Sequence, residues 1–381
     1  MAQFPTAAGI AIASLELATT AANAGLRSVS TAVAERPGAA KRPFAFLVTS
    51  NVAQQLMGRS LRNMSPGTSG ASVTASAVFI DQPVDAQARN VVAIVRGSDP
   101  RLRWQYVAIG AHSDHVGISA RPVDHDSLRA YYGVMRPEGA QRRGAQPTDP
   151  TPAQWAQIRA TLDSLRRLRP PRPDSISNGA DDDGSGSVAL LEIAEALATG
   201  TRPRRSILLI WHTAEESGLL GSAWFTDNPT VPRDSIVAQL NMDMVGRGGA
   251  IDIVGGGPGY LQVIGSRRLS TDLGDVLDSV NAARREPFEI DYSWDAPGHV
   301  MSRYCRSDHY MYARQGIPIA YMSRGYHRDY HVVTDEPQYI DYDALARVAG
   351  FVRDVAVGVA NREQRLRLDK PRMNPLLPCR Q

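Results

Sequence analysis

His112 and Asp114 in GAHSDH, Glu215 and Glu216 in WHTAEESG, and Asp243 in NMDMVG each stand where a strand-like apolar run ends. His331 stands in the loop after the last such run, and Asp181–Asp183 in NGADDDGSGS stand just before a helical one. Consecutive acids at strand ends are expensive to desolvate unless a positive charge neutralises them. Divalent metal ions would do so. Two imidazoles with several carboxylates and no thiolate suit zinc, with manganese or cobalt as substitutes. Two metals ~3.5–4 Å apart, bridged by one carboxylate, would clamp both oxygens of a tetrahedral intermediate. A further carboxylate must then take the proton from the attacking water. The neighbours Glu215 and Glu216 offer one base and one ligand side by side.

The elements that must position these groups alternate. Strands are predicted at Phe44–Val48, at 72–80, at 90–97, at Tyr106–Ile109, at Ile207–Trp211, at Ile236–Leu240 and at Ile317–Met322. Helices are predicted near Asn51–Met57, over 185–198 with Leu190, Ile193, Ala194 and Leu197 inward, from GLLGSAWF onward, and over 342–361. Strand, loop and helix in repeated succession predict an α/β three-layer sandwich, a mostly parallel central sheet flanked by helices. In such sheets ligands collect outside the carboxyl ends of the strands, so the polar clusters would share one crevice. An Arg- and Pro-rich insertion at 119–177 breaks the rhythm. Within it Thr151, Pro152 and Gln154 open a capped helix over 152–168, with Trp155, Ile158, Leu162 and Leu165 on its apolar face. That helix either packs on the domain surface or forms a flap beside the site.

Composition narrows the function classes. The net charge of the 381 residues is only +3, with the basic residues scattered, which gives no footprint for nucleic acid or an anionic membrane surface. No apolar stretch approaches the ~20 residues of a membrane span. The two cysteines, Cys305 and Cys379, are too few for a disulfide scaffold and are expected as unrelated thiols. Residues 7–24 superficially resemble an export signal, but the preceding MAQFPT has no positive charge and Glu16 interrupts the apolar run. The segment is therefore expected to be folded. GGGPG at 255–259 lacks the context of a phosphate-binding loop and reads as a tight turn.

The ordered set HxD, GADDDGSGS, AEExGLLGS, NMDMVG, SDH and YH resembles metallopeptidase family 28, which includes secreted bacterial aminopeptidases, glutamate carboxypeptidase and, more distantly, glutaminyl cyclases. The resemblance spans roughly residues 72 to 360 and implies the zinc-exopeptidase, phosphorylase/hydrolase-like form of the sandwich. It implies that two zinc ions are bound, one by His112 and Asp243, the other by Glu216 and His331, with Asp182 bridging them. It further implies Glu215 as general base and acid, and Tyr330 as the hydroxyl that steadies the oxyanion. Asp114 would orient His112, and Asp308 in SDHY would support a ligand from behind. His115 would do the same or serve the loop. Tyr326, His327 and Arg328 either shape the substrate pocket or stand as solvated loop residues.

The function implied is a zinc-dependent exopeptidase acting on peptides, an aminopeptidase that uses a metal-bridging hydroxide. A carboxypeptidase of the same family would need arginines placed on a terminal carboxylate, and arginines occur in the insertion and at 303–306. A non-catalytic receptor-like relative would show substituted metal positions, and none is substituted. Residues 1–65 loosely resemble the end of a protease-associated domain, with the peptidase domain at 66–365 and a tail at 366–381. That arrangement implies a secreted or periplasmic protein whose export signal lies outside this chain.

Overall fold

The computed structural model describes residues 9–17, 44–74, 88–141, 149–374 and 379–381, and divides the chain into two compact units, 1–87 and 88–381. In the first unit, β1 (Gly9–Ala13) pairs in parallel with β2 (Phe44–Val48), the latter as the sequence predicts. Helix α1 (Ser50–Met57) follows; Thr49 caps its first turn and Gly58, at φ 66°, ends it in the left-handed conformation that glycine tolerates. Of the strand expected at 72–80, residues 75–80 lie outside the described residues.

The second unit begins with β3 (Val91–Val95) and β4 (Tyr106–His112). The insertion follows as β5 (Gly117–Asp124), α2 (His125–Met135), α3 (Pro152–Leu168) and β6 (Pro173–Ser177). Then come α4 (Gly184–Thr199), β7 (Ser206–His212), α5 (Leu220–Asp227), β8 (Ile236–Met242) and β9 (Tyr260–Ile264). The chain closes with α6 (Thr271–Ala282), β10 (Glu289–Asp291), α7 (His309–Arg314), β11 (Ile319–Ser323) and α8 (Tyr342–Asn361).

Seven strands form one sheet in the order β10-β9-β11-β8-β4-β7-β3. The central run β11-β8-β4-β7 is parallel throughout, while β3 and the β9/β11 seam are antiparallel. The period-2 alternation of β4 builds the layers. Val107, Ile109 and Ala111 face one way, onto α4, α6 and α8, whereas Tyr106 and Ala108 face the other way, onto α5 and α7. Every one of these residues is buried because helices cover both faces, as a parallel sheet requires. Helix α8 offers Leu345, Val348, Ala349, Val352, Val355, Ala356 and Val359 at helical spacing, all buried, and Asp341 caps it by accepting the Ala344 N–H at 3.0 Å.

Helix α3 carries the predicted capping box, Thr151 with Gln154, but its apolar face is thinner than expected. Ile158 is buried, while Trp155 is 41% exposed, its ring 6.3 Å from that of Tyr131 and tilted by 57°. The cysteines are joined, contrary to the expectation of two separate thiols, with Cα atoms 5.8 Å apart across 74 residues. The reason is the return of the C-terminus. The Gln381 side chain accepts the Tyr304 N–H at 2.9 Å and donates to the Trp294 carbonyl at 3.0 Å, which carries Cys379 back onto Cys305.

Candidate metal centre

The parallel run places β4, β7, β8 and β11 with their carboxyl ends on one edge, and the polar clusters meet there. His112 is the last residue of β4, Asp243 follows β8, Glu215 and Glu216 follow β7, and His331 lies in the loop beyond β11. The DDD loop enters from the side just before α4. Its glycine is required: Gly179 has φ +60°, and a Cβ there would stand 2.4 Å from the Asp182 carbonyl oxygen.

The three aspartates have separate tasks. Asp183 ties the site segments together, accepting the N–H groups of His112 (3.0 Å), Gly186 (3.0 Å) and Met244 (3.2 Å). Asp181 accepts the Gly246 N–H at 2.7 Å. The buried Asp335 holds the loop from behind by accepting the N–H groups of Asp181 (3.0 Å) and Asp182 (3.1 Å). Asp182 is left to face the crevice. Its Oδ1 lies 3.3 Å from His112 Nε2, and its Oδ2 lies 3.1 Å from His331 Nε2. His331 Nε2 is also 3.1 Å from Glu216 Oε2, and His112 Nε2 is 4.0 Å from Asp243 Oδ2.

The donor atoms of His112, Asp182 and Asp243 fall within 4.8 Å of one another, and so do those of His115, Asp182 and Glu216. Ligands about 2.0–2.2 Å from a common tetrahedral zinc have such spacings. The residues fit the ion in a second respect. His115 Nε2 is buried without a hydrogen-bond partner, and the buried Asp182 Oδ2 and Glu216 Oε1 beside it meet imidazole nitrogens of His331 and His115; buried polar atoms of this kind call for a cation. The protein's own charges show the same demand. Burial pushes the Asp243 carboxyl up to about 7 despite His112, and burial pushes Glu215 well above the ordinary carboxylate range. Burial also works against a proton on His331, but the hydrogen bonds to Asp182 and Glu216 outweigh it and raise the imidazole to about 9. A crowd of buried carboxylates is holding on to whatever positive charge is at hand.

Backbone strain clusters here too. Ala214, Leu219, Met244 and His331 have φ between 54° and 62°, and they precede Glu215, line the pocket, follow Asp243 and carry the last imidazole, respectively. Non-glycine residues persist in this region only where the surrounding structure over-determines them.

Several roles differ from expectation. Asp114 orients His112 through its main-chain oxygen, 3.0 Å from Nδ1, while its carboxylate stands 3.8 Å from that nitrogen. The carboxylate instead accepts the N–H groups of Glu215 and Glu216. His327 does not shape the pocket. It is fully buried behind the DDD loop, its Nε2 3.3 Å from Asp181 Oδ2 and 3.7 Å from Asp335 Oδ1. Arg328 also turns away, donating to the Ile251 carbonyl. The Asp308 carboxylate faces His212, 3.4 Å from its Nδ1.

His115 comes closer than the sequence suggested, with Nδ1 2.9 Å from Glu216 Oε1. The neighbouring acids in space, Asp182 and Glu216, are separated from it by 67 and more residues of chain, so only the fold reveals the contact.

The crevice opens into a cavity of about 330 Å³ lined by Asp182, Glu215, Glu216, Asp243, Arg306, Tyr326, Tyr330 and His331, with Gly218, Leu219 and Cys305. Tyr330 is stacked between His331 (3.8 Å) and Tyr326 (4.5 Å), and burial keeps its hydroxyl protonated by pushing its pKa far up. The insertion supports this wall from outside. Arg136, the residue that ends α2, donates to the carbonyls of Arg328 (3.0 Å) and Tyr330 (3.4 Å), and from α2 itself Arg129 meets Asp329 at 3.2 Å and His125 meets Glu336 at 2.6 Å.

Comparison with known proteins finds similar chains. The leupeptin-inactivating enzyme 1 of Streptomyces exfoliatus is 31% identical over 156 residues, which cover 40% of this chain and 31% of that protein. Leucine aminopeptidase 1 of Trichophyton rubrum is 26% identical over 203 residues, covering 47% of this chain and 48% of the relative. The chain thus spans half or less of the length of these curated relatives. Among solved structures, the LapA aminopeptidase of Legionella pneumophila (TM-score 0.47, 20% identity) covers 72% of this chain and 56% of its own. BSAP, a zinc aminopeptidase from Bacillus subtilis (TM-score 0.47, 18% identity), covers 72% and 50%. The family model of peptidase family M28 matches residues 90–356, which include every cluster described above, and the chain belongs to that family.

Proposed function

We propose that the chain is a zinc-dependent exopeptidase of the aminopeptidase type, which removes N-terminal residues from peptides with two zinc ions. The observation that carries the reading is the division of Asp182. One oxygen faces His112 and the Asp243 side; the other faces His331 and Glu216. His112 and Asp243 would hold one ion, Glu216 and His331 the other, and Asp182 would bridge. Bound zinc supplies Lewis acidity and lowers the pKa of water. Glu215, buried beside the ligands and not needed as one, accepts the proton of the attacking water and returns it to the leaving amine. Tyr330 directs a hydroxyl toward the oxygen on which charge develops. The surrounding carboxylates favour a free substrate ammonium group.

The relatives named leucine aminopeptidase make a leucyl substrate the natural first trial. The Cys305–Cys379 disulfide supports export to an oxidising compartment. Among the described residues no helix is long and apolar enough to cross a membrane. The N-terminal residues 1–65 are read within the same proposal as the end of a protease-associated domain. The test compares leucyl peptides bearing a free amine with their N-acetylated forms. Cleavage of the free form alone is expected, and equal cleavage of both would refute the aminopeptidase direction.

A further inference from the structure

One cation lines the crevice beside the proposed metal ligands. Arg306 lines the cavity, and among the described residues it makes no ion pair; its Nη2 donates to the Tyr330 hydroxyl at 3.4 Å, and its guanidinium stands 5.5 Å from the centre of the Tyr326 ring. Two other arginines near the site are compensated. Arg247 pairs with Asp252 and Asp329, and Arg129 pairs with Asp329. Behind the same tyrosine wall lies a second uncompensated guanidinium. Arg303 is fully buried 3.6 Å over Tyr326 and 4.8 Å over Trp294, with Nε and Nη2 unpartnered. The tyrosine wall therefore carries positive charge, and Arg306 is the part of it that reaches the cavity.

Arg306 is also held in place. Cys305, the residue before it, is tied to Cys379, and Ser307, the residue after it, accepts the Asn241 amide at 3.1 Å. A positioned guanidinium presents a fork of N–H donors that matches the two oxygens of a carboxylate, at little entropic loss on binding. With zinc neutralising Asp182, Glu216 and Asp243, those carboxylates would no longer compete for it.

Resting on the peptidase reading above, we propose that Arg306 is a carboxylate anchor and that the preferred substrates carry a carboxylate beside the scissile amide. Its contact with Tyr330 sets the distance: a carboxylate paired with Arg306 lies next to the carbonyl that the Tyr330 hydroxyl serves. Two groups have that chemistry, the side chain of an N-terminal Asp or Glu and the terminal carboxylate of a dipeptide.

The experiment measures kcat and KM on the zinc-loaded protein for matched pairs. Glutamyl against glutaminyl anilide reads the side-chain source, and leucyl-leucine against its amide reads the terminal source. At least one carboxylate member is expected to exceed its neutral partner by on the order of tenfold in kcat/KM, mainly through KM, the size of one charge-assisted pair. Arg306→Leu should bring that ratio to near one, and Arg306→Lys should keep part of it as a point charge without the fork. Ratios near one in the wild type, or a ratio that survives in Arg306→Leu, overturn the proposal. Leucyl anilide separates the two readings. Absence of turnover on every substrate overturns the peptidase reading, whereas turnover without a carboxylate preference overturns only the anchor. Calorimetric titration with glutamate against glutamine, and with leucine against leucinol, on wild type and Arg306→Leu, reads the same preference without turnover. Equal affinities within both pairs contradict it.

Discussion

The carboxylate of Asp114 accepts the backbone N–H of Glu215 at 3.0 Å and that of Glu216 at 3.2 Å. A residue just beyond β4 thus fixes the loop beyond β7, and the proposed base and the proposed ligand inherit their positions from one anchor. Asp114→Ala frees both N–H groups in a part-buried loop, a loss of about 1–3 kcal/mol. Zinc affinity is expected to fall by on the order of 10- to 100-fold, with turnover falling alongside, as read by competition with a chromogenic chelator. Unchanged affinity would show that the loop needs no such anchor.

The wall that bears Tyr330 and His331 depends on the insertion. Arg136→Ala removes the Nη1 group that donates to both the Arg328 and Tyr330 carbonyls, worth about 1–3 kcal/mol of local order. Amide hydrogen exchange across 326–331 should quicken and KM should rise several-fold. Exchange equal to wild type would mean that α2 merely covers the surface.

How much of this does the sequence alone carry? The strand ends, the DDD loop and the Glu215–Glu216 pair were legible because strand and helix periodicities bracket them, and because one edge of a parallel sheet must receive all of them. The burial of His327 was not legible for a physical reason. Adjacent residues in an irregular loop point in unrelated directions, and His327 is drawn inward by Asp181 and Asp335, which lie far away in the chain. The contacts of His115 and Arg306, and the cysteine pairing, depend on chain return over long separations, for which local spacing carries no signal. The exposure of Trp155 has the same origin: a helical stripe shows which residues share a face but not whether anything covers it.

The disulfide pins the segment that carries Arg306. Without prior reduction, no free thiol should be titratable in the folded or unfolded chain. Cys379→Ser should lower stability by about 4 kcal/mol from the loop of 74 residues, if the unfolded chain is otherwise unconstrained. Two titratable thiols in the untreated protein would contradict the pairing.

Acid should loosen the insertion before the sheet. Burial works against ionisation of Asp124, but hydrogen bonds from the Ser127 hydroxyl and N–H, the Arg172 N–H and Arg166 outweigh it and hold the carboxyl at about 2. Because the folded value lies below the unfolded one of about 3.9, the stability it confers is complete above pH ~4 and lost as pH falls through 2. With solvent screening at this partly open site, that amounts to about 1 kcal/mol. Asp124→Asn, followed by acid unfolding between pH 4 and 2, should lose this component, and an unaltered profile would assign the acid sensitivity elsewhere.

The central claim is that zinc held at the sheet edge and the carboxylate of Glu215 together hydrolyse an N-terminal amide. It is tested most directly by titrating zinc into chelator-stripped wild type and Glu215→Gln while following both metal uptake and leucyl anilide hydrolysis. The wild type should regain turnover as two equivalents bind. Glu215→Gln should take up the same two equivalents yet turn over at least ~10²-fold more slowly. Hydrolysis by the stripped protein, or near-normal turnover in Glu215→Gln, would contradict it.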